Sequence, residues 1–245
     1  MQLPACLPGK QSDTIFAAWR GVKRVAAGHN GRMGKLKRYQ PDATAVVAKA
    51  DGNPEGKGLN GFLLDWHHSE PRGVVAKSQR QVLAEFFTSM LVLSAAFKYK
   101  PVVGVPNYLY FIDNEWSLSL IAPQEWTRER QAAFAGTCVL QRDMTWTITP
   151  SDLLADDNAV SDAVGRFYDA FANMLSTDLT LEEVLPFYVG RMPYYQRLYA
   201  SALSRSIRKT LTLADLTFLK SREWRLALPE RSRNMLLRKQ TCSAT

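Results

Sequence analysis

Cysteine and histidine are scarce in this 245-residue chain, with three of each. Cys6, Cys138 and Cys242 are odd in number, far apart and never in a C-x-x-C pair. That excludes a disulfide framework and a zinc knuckle, and it suits a reducing compartment. No run of 18 apolar residues occurs, so no membrane span is expected. The N-terminus lacks the continuous apolar segment of a secretory signal. There is no internal repeat and no low-complexity block. What is present is a 46% hydrophobic composition, enough for one sizeable core.

Acidic residues are scarce at both ends. Residues 1–38 hold eight Lys/Arg against Asp13 alone, and residues 205–245 hold ten against Asp215, Glu223 and Glu230. Residues 39–204 are net acidic, so the overall charge of +8 describes an acidic body with two basic ends. Such ends attract polyanions by counterion release, or serve as solvated tails. The reading divides the chain into a basic extension, 1–38, one domain, 39–215, and a basic tail, 216–245. Within the extension, Ile15, Phe16, Trp19, Val22 and Val25 stand near helical spacing beside Arg20, Lys23 and Arg24. That pattern fits an amphipathic or presequence-like helix. The composition breaks at Met33, and a natural start there, with 1–32 dispensable for folding, is the expectation.

Periodicity divides the body. Leu59, Phe62, Leu63 and Trp66 share one helical face, and Pro71 and Gly73 end that helix. Residues 78–97 are apolar over most of a helix circumference after Ser78 as N-cap, which predicts the buried centre of the fold. "NYLYFIDNEWSLSLI" reads as a hairpin of 107–112 and 115–121 turning at Asp113-Asn114. A short helix is expected after Pro123. A second hairpin follows, turning at Arg142-Asp143, with Met144, Trp146 and Ile148 on one face and Thr145, Thr147 and Thr149 on the other. Helices return from Ser151: a stripe of Val160, Val164, Phe167, Phe171, Met174 and Leu175, a segment capped by Thr180 and stopped at Gly190, and a further helix from Met192. The expected class is α+β, a four-stranded antiparallel meander packed with several helices.

The stretch "GNPEGKGLNG", residues 52–61, raises a phosphate loop. That loop requires G-x-x-x-x-G-K-[ST]. Here the first spacing is one residue short and Gly58 stands where a magnesium-binding hydroxyl belongs, so the stretch reads as an entry loop to a helix. The phrases "NPEGKGLNGFLLDW", "LVLSAAFKYKPVVG", "WSLSLIAPQEW" and "DMTWTITP" together resemble a family of uncharacterised bacterial proteins over about residues 52–215. The resemblance implies a cytoplasmic bacterial protein starting at Met33, and it transfers no activity.

Candidate chemistry is thin. Asp65, His67, His68 and Glu70 cluster in "DWHHSE", but adjacent histidines on a helix point about 100° apart, unlike the i,i+4 ligands of a metal helix. Cys138 with His67 would need an unsupported meeting in space. Asp152, Asp156, Asp157, Glu182 and Glu183 suit helix starts as well as acid–base work. The most suggestive segment interleaves rings and cations: Arg191, Tyr194, Tyr195, Arg197, Tyr199, Arg205, Arg208 and Lys209. Such residues stack on bases and hold phosphates, form protein-interface anchors, or pack between helices. The sequence therefore favours a non-catalytic, cytoplasmic binding or adaptor protein. Its partner is a protein or a polyanion, met through the basic ends and this segment. A nucleic-acid- or ribosome-associated protein is the alternative, and an enzyme with a scattered site the third. The expectation includes no cofactor, no metal and no identified small-molecule substrate.

Overall fold

The computed structural model of the chain describes residues 58–187, 192–230 and 232–236. The basic extension and most of the glycine loop lie outside the described residues, as do Arg191 and Gly190. The helices are α1 (Leu59–His68), α2 (Gln79–Ser94), α3 (Arg128–Gln131), α4 (Ala159–Met174), α5 (Tyr194–Leu213) and α6 (Ser221–Leu226). The strands are β1 (Pro106–Ile112), β2 (Glu115–Ser119), β3 (Phe134–Leu140) and β4 (Trp146–Pro150). They form one antiparallel sheet in the order β2-β1-β3-β4. The class is α+β, as the sequence implies.

The strand order departs from a sequential meander. The two expected hairpins form, and they join through their first strands, β1 and β3. The 14 residues between β2 and β3 carry a 3₁₀ turn (Pro123–Glu125) and the one-turn α3, long enough to cross β1. The single helix expected after Pro123 is interrupted at the extended Trp126. The first hairpin turns where the sequence placed it: Asp113 and Asn114 both take positive φ, 51° and 63°. A two-residue turn with the strands' own twist requires that conformation, and Asp and Asn tolerate it.

Helix α2 lies across the sheet. Ser78 caps it, accepting from the Gln81 N–H, and every residue from Glu85 to Ser94 is buried. At one edge of the sheet the Trp146 N–H of β4 donates to Ser89 Oγ, 2.9 Å. At the other edge Ala96, just past the helix, bonds to β2 on either side of Ser117: its N–H donates to the Trp116 carbonyl and its carbonyl accepts from the Leu118 N–H. Phe86 and Phe87 meet Phe167 and Phe171 of α4 edge to face at 5.3–5.5 Å. Each such pair adds about 0.5–1.5 kcal/mol beyond its burial. Asn158 caps α4 by accepting from the Val160 and Ser161 N–H groups.

Three sequence expectations change. The segment after Thr180 forms only a 3₁₀ turn, Glu182–Val184, and Glu183 accepts from the Thr180 N–H and hydroxyl; Pro186 forbids a longer helix there. Met144 precedes β4, at φ 65°, and Thr145 and Thr147 are buried with Trp146 and Ile148. Residue 215 is no boundary, because Trp224, Met235 and Leu236 are buried and the Thr88 hydroxyl donates to the Met235 carbonyl. The arginines around those apolar residues make a packed segment look like a tail.

Candidate functional site

The ring-and-cation segment is largely internal. Tyr195 and Tyr199 are buried, and the Tyr199 hydroxyl donates to the Pro101 carbonyl at 2.7 Å. The half-buried Tyr194 donates to Asp65. Arg197 donates from Nε and Nη2 to the Met192 carbonyl, closing the entry to α5. Arg205 lies over the Trp66 ring, 4.2 Å from its centroid, and donates to the carbonyl and hydroxyl of Ser69. Burial lowers the Arg205 pKa, opposed by Glu70. Its job is to hold α1 against α5, together with the Tyr194–Asp65 bond, while the Lys100–Asp65 pair at 2.7 Å ties α1 to the segment after α2. Among the described residues of the segment, only Arg208 and Lys209, both exposed, face outward with their charges, and Arg208 stands 3.9 Å from Glu182. The structure therefore brings Tyr194, Tyr195, Arg197, Tyr199 and Arg205 together as packing and helix-holding groups.

A different region gathers charge around a cleft. The cleft has a volume of about 870 Å³ and lies between the strap before α2, the first turns of α2 and the β3–β4 connection. Arg72, Arg80 and Arg142 line it and are exposed. None of the three lies within ion-pair distance of a carboxylate among the described residues. Backbone pairing fixes two of them together, since the Arg72 N–H donates to the Arg142 carbonyl at 2.9 Å. Gly73 and Gly104 occupy the walls at φ 69° and 80°, where a side chain would be strained.

Beside this cleft sits a buried ion triad. Lys77 Nζ is 2.6 Å from Glu85 and 2.7 Å from Asp143. Asp143 Oδ1 accepts from the Thr145 N–H and hydroxyl, and Glu85 also accepts from Gln81. Burial raises the Glu85 carboxyl above its ordinary range, more than Lys77 lowers it. Burial works the same way on Asp143, but the bonds from Lys77 and Thr145 outweigh it and hold Asp143 low. Burial disfavours the Lys77 charge, yet its two carboxylates overcome that and raise its pKa. The triad ties strap, helix and turn to one point. The turn accepts backbone strain to do so: Met144, next to Asp143, is in the left-handed region, where a residue with a Cβ loses about 1 kcal/mol.

The other candidates dissolve or stand apart. His67 and His68 are exposed, Asp65 turns inward to Lys100 and Tyr194, and His67 keeps only a 3.9 Å approach to Glu70. Among the described residues no group of three His, Cys, Asp or Glu is placed to hold a metal. Cys138 is fully buried, and burial pushes its thiol up, away from nucleophilic use. Asp156 and Asp157 line a second groove with Asp162, Asp169 and Glu230, around Arg166. Ser151 caps the turn that holds Asp152.

Sequence reasoning missed the cleft. One signal was available: Glu85 interrupts the apolar run "VLAEFF", and a carboxylate on a buried helix requires a buried cation. Which cation could not be read, because Lys77 precedes the helix and Asp143 is 66 residues further along.

No family model matches the chain, and neither a characterised protein nor a solved structure shows significant similarity to it.

Proposed function

We propose that this chain is a non-catalytic binding protein for an anionic partner, which it meets at the Arg72–Arg80–Arg142 cleft. The exposed Arg208 and Lys209 and the basic ends add long-range attraction. One observation carries the reading: three exposed guanidinium groups surround a cleft whose buried charges are already satisfied by one another. A pre-paired floor leaves the arginines as the groups with unspent donors, and guanidinium geometry suits phosphate and carboxylate. The reading keeps the polyanion partner and moves its contact away from the tyrosines.

Fluorescence anisotropy with a labelled single-stranded oligonucleotide at two salt concentrations tests it. Affinity falls as salt rises, since each phosphate contact releases counterions. Replacing Arg72, Arg80 and Arg142 together by Ala reduces the log–log salt slope by about 2, at about 0.7 per contact on a single strand. Binding that ignores salt or the triple change refutes the cleft as a polyanion site. No binding at low salt leaves an acidic protein partner as the second reading, favoured by the exposed Val102, Val103 and Val105 beside the arginines.

A further inference from the structure

We infer that the cleft recognises a phosphate monoester carried on a hydroxyl-bearing body, a sugar phosphate, either free or as the 5′-phosphorylated end of a nucleic acid strand. This rests on the anionic-partner reading above and specifies its ligand. Three features of the lining distinguish it from a general basic surface.

The first is charge. Arg72, Arg80 and Arg142 face the same cleft, and opposite them the triad contributes at most one net negative charge. Three cations match a dianionic monoester better than the single charge of an internal phosphodiester. The second is the supply of acceptors. The Gln81 amide nitrogen is used on Glu85, and that of Gln141 on Thr147 and the Val139 carbonyl. The side-chain carbonyl oxygens of both glutamines accept no hydrogen bond from the described residues. They are acceptors for the hydroxyl groups that a sugar carries on its ring; the O–H of inorganic phosphate sits on the group that the arginines themselves hold. The third is the wall. Ala84 and Val103 line the cleft with apolar surface, against which the carbon face of a sugar can rest. The volume lies within the range of small-molecule sites. Lys77, Glu85 and Asp143 act as positioning residues, because they fix the elements that carry the arginines and contribute no free donor.

Isothermal titration calorimetry on the full chain decides this, with ribose 5-phosphate, inorganic phosphate and ribose as probes. Ribose 5-phosphate binds more tightly than inorganic phosphate, and ribose binds least. Arg80→Ala and Arg142→Ala each weaken ribose 5-phosphate by about tenfold, the scale of one charge-assisted contact, with circular-dichroism melting unchanged. Gln81→Leu, at an exposed position, weakens ribose 5-phosphate and leaves inorganic phosphate unaffected. A paired anisotropy measurement separates the two sources. A 5′-phosphorylated oligonucleotide binding more tightly than its 5′-hydroxyl twin, in competition with ribose 5-phosphate, assigns the site to strand ends; ribose 5-phosphate binding with no difference between the twins assigns it to the free sugar phosphate. Binding of both oligonucleotides alike through the three arginines, with no ribose 5-phosphate affinity, overturns this inference and leaves the polyanion reading standing. No binding by any probe overturns both.

Discussion

Replacing Lys77 by Met tests the triad most directly. The change keeps an unbranched side chain, one atom shorter, and removes the cation. Glu85 and Asp143, 5% and 14% exposed, then face each other without the group that lies 2.6 and 2.7 Å from them. Removing one partner of a buried ion pair costs about 3–5 kcal/mol when the remaining charge persists. Glu85 limits the loss by taking a proton, since burial already holds its carboxyl above the ordinary range. The expected loss near pH 8 is therefore at the lower end, about 3 kcal/mol. The pH dependence follows from the three shifts. Asp143, held low, contributes stability above its unfolded pKa and loses it as pH falls through its folded value. Lys77, held high, contributes fully below its unfolded pKa and loses that contribution as pH rises through its folded value. Glu85 works in the opposite sense to Asp143: its folded form keeps a proton longer, so it opposes folding as pH rises from the unfolded to the folded value. Without Lys77 that opposition grows, and the variant's deficit is larger at pH 8 than at pH 5. Urea unfolding at both pH values, read by the fluorescence of the buried Trp116, Trp146 and Trp224, measures it. Adding Glu85→Gln restores part of the loss. A deficit under about 1 kcal/mol, or one identical at the two pH values, refutes the reasoning.

Gly136→Ala places a Cβ 2.6 Å from the Thr149 carbonyl oxygen and 2.9 Å from Ile148 Cγ1; β3 and β4 must part, and the melting temperature falls by the equivalent of about 1–3 kcal/mol, whereas an unchanged melt shows that the strands have slack. Arg205→Ala removes the stack on Trp66 and the bonds to Ser69; amide exchange in α1 accelerates by about 1–2 kcal/mol of local opening while α2 stays protected. Arg205→Lys does not restore protection, because lysine lacks the planar fork, and equal protection in both variants shows that α1 is held by other contacts.

Local signals were legible and long-range ones were not. Ser78 and the apolar run behind it name α2, and Asp113-Asn114 names the first hairpin, because caps and two-residue turns are decided by neighbours in sequence. The strand order was hidden, since whether β3 pairs with β2 or β1 depends on where residues 120–133 run, and no residue in that span dictates it. The tyrosines misled because ring and cation have the same composition inside and outside: Tyr199 spends its hydroxyl on Pro101 and Arg205 its face on Trp66. Beyond the signal of Glu85, the arginines of the cleft were hidden for the same reason. Arg72, Arg80 and Arg142 are ordinary surface residues until the Arg72–Arg142 backbone bond and the Lys77 triad draw them to one place.

The placement of α2 from one edge of the sheet to the other sets how many strands the sheet can have. From Ser89, bonded at β4, the helix advances about 7.5 Å to Ser94 at 1.5 Å per residue, and the extended Ala95 and Ala96, the latter bonded at β2, add up to about 7 Å. Four strands at 4.8 Å spacing are about 14 Å across, which is the same span. The helix and the two residues after it thus act as a ruler with a stop at each end. A strand offered by another molecule, the seed of edge-to-edge polymerisation, finds the Trp146 donor at one margin and the Trp116 and Leu118 groups at the other already engaged by this chain's own residues.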